Sequence, residues 1–426
     1  MPDRRSFLAG SVVLPALTAA TLDGGGRDAM VATDLANYIG FGSKQAGGAG
    51  DNAGGEWLAA ELEKLGFAIQ RQSFQTPYFE PTRAELIAGE AKAAVWPQPI
   101  VIQTGADGMS GPLVRVDGAG KADGELAGAI ALVDLPSGRW STALAKPIRA
   151  PITAAFAGGA KAVVAITNGP TGKIIALNAD GRQPMFAGPV ALIAPADAQP
   201  FLDAARSRAS ATLHITGKGG HRPAFNFIGR IDRGKKRWLA VSTPRSGWYG
   251  CAGERGPGVA AWLWLARWAS KAVQDHDLAF VCNTGHEYEY LGASEALKEI
   301  APKPADTRFW LHLGANVAAR DWHDISGSPL PSPDTQRYLS ASPSLLPVAR
   351  EAFAGLAGYE APYSTDTLTA GELTEIVAAG YKPAAGVFGI HRYHHVAEDD
   401  ARCVHAPNVI AASAAFQSFV ERVLAG

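Results

Sequence analysis

After His221 the chain settles into a repeating order of strand and helix that few architectures can accommodate. Trp238–Thr243 reads as a strand and Gly258–Ala272 as a helix whose Val259, Trp262, Leu263, Leu265, Ala266 and Ala269 make an apolar stripe. Asp277–Thr284 reads as a strand, residues 293–300 as a helix, Phe309–Leu313 as a strand and Leu345–Leu356 as a helix. A strand over Ala384–Ile390 and a last helix over Asn408–Leu424 close the series. Strands separated by helices predict an α/β fold with a doubly wound, mainly parallel sheet. In such sheets the groups that do chemistry gather at the carboxyl ends of the strands.

The rest of the chain is organised differently. Residues 34–67 give helix, Gly-rich loop and helix; Trp57, Leu58, Leu62 and Leu65 lie on one face, and Gly66 stops the second helix before a strand over Ala68–Phe74. Between about 79 and 220, short apolar strands alternate with Gly/Asp turns: Leu113–Val116, Ala129–Leu135, Ala162–Ile166 and Val190–Ile193, with one helical stretch at Thr153–Gly159. The phrase Gly158-Gly159-Ala160-Lys161-Ala162-Val163-Val164-Ala165-Ile166, with Asp134 upstream, resembles a protease-associated domain, a small mixed β module inserted into exopeptidases. At 426 residues the chain exceeds one ordinary domain. The expected division is 1–22 as an export signal, 23–78 as the first part of the main domain, 79–220 as the insertion and 221–426 as the remainder.

Charge and cysteine content exclude several classes. With 39 basic and 40 acidic residues the formal net charge is −1, which offers no electrostatic footprint for nucleic acid or an anionic membrane. Cys251, Cys282 and Cys403 are too few for a disulfide scaffold and too widely spaced for a thiolate zinc site. Arg4-Arg5-Ser6-Phe7-Leu8 precedes an apolar run of about 12–14 residues, too short to span a bilayer. This segment resembles a twin-arginine export signal, which implies a periplasmic or secreted protein with no stable membrane insertion after cleavage.

Three polar clusters follow predicted strands: Cys251–Gly258, Thr284–Glu289 and His391–Asp400. They supply carboxylates and imidazoles, the ligand types zinc takes when thiolates are absent. The order of these clusters, the opening helix–loop–helix, the insertion and the link Phe225-Asn226-Phe227-Ile228-Gly229-Arg230 resemble the bacterial leucyl aminopeptidase family of zinc exopeptidases. Its relatives include glutamate carboxypeptidase, glutaminyl cyclase and the transferrin receptor.

The resemblance implies a two-metal site of which this chain retains half. The family's first motif, His-x-Asp, falls on Thr243-Pro244-Arg245, and a later Asp ligand falls on or near Gly314, so one ligand set is lost. The bridging carboxylate matches Glu254, the base-then-ligand Glu pair matches His286-Glu287, and the final His with an Asp four residues on matches His395 and Asp399. His394 is the alternative to His395. The implied metal ligands are thus Glu254, Glu287 and His395, holding at most one Zn2+ per chain; glutaminyl cyclases in the family work with a single zinc. His286 becomes either general base or a fourth ligand. Arg245 stands where it could replace lost positive charge or bind a substrate carboxylate. The expected activity is hydrolysis of peptide or aminoacyl substrates by one Lewis-acidic metal. The alternatives are a catalytically inactive binding protein and a mono-zinc aminoacyltransferase.

Overall fold

A computed structural model describes residues 24–426. The expected export signal, residues 1–22, lies outside the described residues. Among them, one 14-stranded sheet runs through the whole molecule. Its centre is the expected parallel set: Ala384–Gly389, Thr307–Leu313, Trp238–Pro244 and Asp277–Asn283 are neighbours in that order, all parallel. Arg337–Ala341 adds an antiparallel strand beside Ala384–Gly389.

Both faces of this sheet are covered, so its strands are apolar almost throughout rather than alternating. Leu239, Val241, Leu278, Phe280 and Leu311 join a large core beneath the helices Gly24–Gly40, Ala252–Ala272 and Ala406–Ala425. Ala240, Ala279, Val281 and Trp310 face the other way, against Ala296, Ile300, Leu373 and Ile376.

The two halves of the molecule are joined by a ribbon that the sequence does not announce. Ala68–Ala88 pairs antiparallel with Ser210–Ile231 over nearly its full length, with a shift at Pro81. Only Ala68–Phe74 is expected as strand, because Pro77, Pro81 and the Gly217–Gly220 run read as breakers. All these residues lie in a ribbon long enough to absorb local irregularity. At its far end Met109–Val116, Ile130–Asp134, Ala162–Ile166 and Val190–Ile193 form a second parallel set. All four strands fall where expected. This lobe carries two helices, Lys146–Ala157 and Pro195–Arg206, where the sequence suggests one; Pro195 at the first turn and Pro200 inside hide the second.

The lobe folds back onto the main half. Arg139 donates to both Asp334 carboxylate oxygens (3.0 and 2.8 Å) and to the Ile390 carbonyl. Ala176 and Ala179 hydrogen-bond the backbone of His395 and Glu287. The lobe thus closes over the strand ends where the polar clusters lie. All three cysteines are free and buried. Among the described residues no helix is long and apolar enough to cross a membrane.

Candidate metal centre

The site begins with a helix cap supplied from far along the chain. Helix Ala252–Ala272 starts at Cys251, whose φ of 52° is left-handed and whose side chain does not cap. The orphan N–H groups of Gly253 and Glu254 instead donate to Asp399, at 2.7 and 3.0 Å. A carboxylate suits this position, because the helix N-terminus carries partial positive charge. Asp399 therefore does the capping, and in doing so it sets Glu254 against the His391–Asp400 loop. His391 Nε2 stands 3.3 Å from Asp399. Burial opposes protonation of His391, but the Asp399 charge and hydrogen bond outweigh it and raise the imidazole pKa.

Glu254, His394 and His395 bring one ligand atom each within 4.8 Å of one another, all three residues buried. His395 takes a left-handed φ of 59° and donates from Nδ1 to the Ala176 carbonyl at 2.8 Å. Its Nε2 lies 3.4 Å from Glu254 Oε1. His394 stacks on His395 with ring centroids 4.0 Å apart. Burial and then the neighbouring His395 hold its pKa well below the ordinary value, so it is neutral, and its Nδ1 has no hydrogen-bond partner. Glu254 is ionised: burial alone would raise its pKa, but Arg255 and then His395 pull it well below the carboxylate range.

Arg255 is the residue the sequence reading passed over. It is fully buried, its Nε donates to the Ser246 carbonyl at 3.0 Å, and one terminal nitrogen lies 2.7 Å from Glu254 Oε1. That approach is close enough for an ion pair but out of line for a hydrogen bond, and neither terminal nitrogen has a partner.

A second cluster neighbours it. His286 Nδ1 faces Glu372 Oε1 at 3.2 Å, and Asn283 donates to Glu372 Oε2. Burial would raise the Glu372 pKa, but hydrogen bonding and charge from His286, with His312 behind, lower it to about 2. An ionised Glu372 accepts the Nδ1 proton and leaves Nε2 of His286 free. Burial, then Arg255, lowers the His286 pKa. Burial pushes His312 down to about 4, and its Nδ1 lies 2.9 Å from Ser242 Oγ, which also accepts from Trp310. Glu372 opens a short helix after a long loop and His312 sits inside a strand, so neither stood out in the sequence.

Two expected residues are placed elsewhere. Glu287 is not in the Glu254 group: its carboxylate accepts from the Ala46 N–H and from the Ser246 hydroxyl, both at 2.7 Å, and burial raises its pKa to about 7. Arg245 does not face a substrate. It is 1% exposed, and all three guanidinium nitrogens are engaged, by the Asp51 and Phe225 carbonyls (3.1 and 2.8 Å) and the Cys282 sulfur. A Cβ at Gly55 would stand 2.8 Å from this guanidinium, so glycine makes the room for it.

The departures at Thr243 and Gly314 acquire a physical reason. Thr243 Oγ1 donates to the Leu313 carbonyl at 2.9 Å. A Cβ at Gly314 would lie 2.3 Å from the Val387 carbonyl oxygen, so no carboxylate fits there without moving backbone. Among the described residues, five of the seven non-glycine residues with positive φ, Cys251, Glu289, Tyr290, Asn316 and His395, sit on the segments that build these clusters. Strained backbone of this kind concentrates at functional sites.

One ionised carboxylate and two imidazoles, of which His394 is neutral with its Nδ1 unpartnered, form a donor set known from catalytic zinc sites. These residues fit a divalent ion; His391, Asp399 and Cys403, also buried, are a second candidate group. A second ion beside Glu254 would meet the Arg255 guanidinium.

No family model and no curated protein sequence matches this chain. Solved structures do. A zinc aminopeptidase from Bacillus subtilis superposes with a TM-score of 0.71 at 17% identity, covering 93% of this chain and 94% of that one. A peptidase M28 precursor from Shewanella amazonensis gives 0.71 at 18% identity, with 94% and 96% covered. An aminopeptidase from Aneurinibacillus sp. strain AM-1 gives 0.64 at 19%, with 93% and 96% covered. The architecture built up above, from first helix to last, is the fold of these aminopeptidases.

Proposed function

We propose that the chain is a peptidase-like hydrolase of peptide or aminoacyl substrates working with a single zinc ion. The observation that carries this reading is the buried group Glu254, His394 and His395 at the carboxyl end of the parallel sheet. Bound there, zinc supplies Lewis-acid polarisation of a carbonyl. The remaining work falls to the chain's own residues. Ala176 fixes His395 so that Nε2 faces Glu254. Arg255 provides a second, permanent positive charge with two free N–H edges. His286, oriented by Glu372, offers an unprotonated Nε2 suited to accept a proton.

A second reading, a binding protein on the same fold, is favoured by the burial of every member of the group. A cavity of about 380 Å³ beside Trp96, Trp248 and Tyr288 is lined by none of Glu254, Arg255, His286, His394 or His395. Zinc analysis coupled to a panel of aminoacyl and peptide amides separates the two. Hydrolysis that a chelator abolishes and zinc restores supports the enzyme; no turnover of any substrate supports the binding protein. Export by the twin-arginine route is proposed from Arg4-Arg5. Changing both to Lys should retain precursor in the cytoplasm, and unchanged export would remove that reading.

A further inference from the structure

A cavity of about 380 Å³ lies where the ribbon, the inserted lobe and the main half meet. That is within the roughly 300–1,000 Å³ of small-molecule sites. Its walls come from three distant stretches of chain: Tyr78 and Phe79 on the ribbon, Trp96 and Ile100 on the lobe, Trp248 and Tyr288 on the main half. Trp96 and Trp248 meet edge-to-face with centroids 5.9 Å apart, and Trp248 meets Tyr288 in the same manner at 5.5 Å. Such arrays accept a further ring by the same offset and edge-to-face contacts.

The polar groups are as informative as the rings. No carboxylate lines the cavity, and the one arginine, Arg182, is paired with Asp180 at 3.1 Å. A cationic ligand finds no carboxylate to pair with. Trp96 gives the cavity a ring face. Three glutamine side chains, Gln45, Gln103 and Gln183, add amide groups of the kind that pair with peptide backbone.

The cavity shares a wall with the metal group. Ala46, Ala176, Trp248 and Tyr288 form one cluster against which Trp96 and Ile100 pack. Within that cluster the Ala176 carbonyl holds His395 and the Ala46 N–H holds Glu287.

We propose that this cavity binds a neutral aromatic side chain carried on a peptide-like ligand, its ring against Trp96, Trp248 and Tyr288 and its backbone amides within reach of the lining glutamines. The proposal does not depend on hydrolysis or on zinc, and it holds for either reading of the function.

Titration calorimetry of the full chain, in chelator, with the tripeptides Ala-Phe-Ala, Ala-Ala-Ala and Ala-Lys-Ala tests it. Ala-Phe-Ala should bind at least tenfold more tightly than either other peptide. Val101→Trp, which adds bulk to the lining, should abolish that binding, and Trp96→Leu, which removes a ring of the array, should weaken it severalfold. Circular dichroism melting of each variant guards against misfolding, and Trp96→Leu decides alone should Val101→Trp fail to fold. Equal binding of the three peptides overturns the proposal. So does undiminished binding in a folded Val101→Trp or Trp96→Leu protein.

Discussion

Two buried guanidinium–carboxylate pairs, whose arginines stand ten residues apart in the sequence, are built to different standards. Arg245 meets Asp51 at 3.0 Å, and every nitrogen of its guanidinium has a partner. Asp51 in turn accepts from the Gly47 N–H and the Thr284 hydroxyl. Arg255 meets Glu254 at 2.7 Å, yet both its terminal nitrogens and Glu254 Oε1 lack hydrogen-bond partners. A buried ion pair repays its desolvation only when hydrogen bonds satisfy the remaining groups. The Arg245 pair comes closer to that condition, leaving only Asp51 Oδ1 without a hydrogen bond, and acts as a staple between helix Ala49–Lys64, the ribbon and the parallel sheet. The Arg255 pair does not, and unsatisfied buried charge in a native fold calls for a functional explanation. Glu287 is a third solution to the same problem: with no guanidinium on it, burial holds its pKa near 7.

The contrast can be broken at several points. Arg245→Ala should be the most damaging, leaving the buried Asp51 carboxyl, whose pKa burial already raises, without its counter-charge at a cost of about 3–5 kcal/mol; urea unfolding measures it. Glu287→Gln should change how stability depends on pH. The unfolded chain releases this proton near pH 4.5 while the folded protein holds it to about 7. The wild type therefore loses stability relative to the variant as pH rises between those values, on the order of 3 kcal/mol, and no further above them. Arg255→Met should cost about 1–2 kcal/mol, clearly less than the loss at Arg245, since fewer hydrogen bonds disappear. The same change should tighten zinc binding at least tenfold, because a cation no longer sits on Glu254. Zinc at a hundred times its Kd should then return about 2.7 kcal/mol of stability. Asp399→Ala should cost about 1 kcal/mol in thermal unfolding, as loss of a helix cap does, while Asp399→Asn should keep most of it.

Much of this architecture was legible because periodicity reports burial. The parallel strands from Trp238 to Gly389 lie where apolar runs place them, and Glu254, His394 and His395 come together as their positions after strands suggest. Side-chain direction was not legible. Glu287 follows a left-handed glycine, and Glu289 and Tyr290 after it are left-handed too, so local backbone turns its carboxylate towards Ser246 and away from the imidazoles. Arg245 is drawn into the core by Asp51, almost 200 residues earlier in the chain, a partnership no local pattern reveals. Arg255 went unnoticed because it follows Glu254 directly and reads as an ordinary exposed charge in the first turn of a helix. Glu372 and His312 need the packed sheet before they meet His286.

The most direct test of the account is the zinc content of the purified, zinc-saturated protein and its variants, measured by elemental analysis after removal of loose metal. The account predicts one ion per chain, lost in Glu254→Gln and in His395→Ala and retained in Glu287→Gln. Two ions per chain, none, or loss of the ion in Glu287→Gln would contradict it.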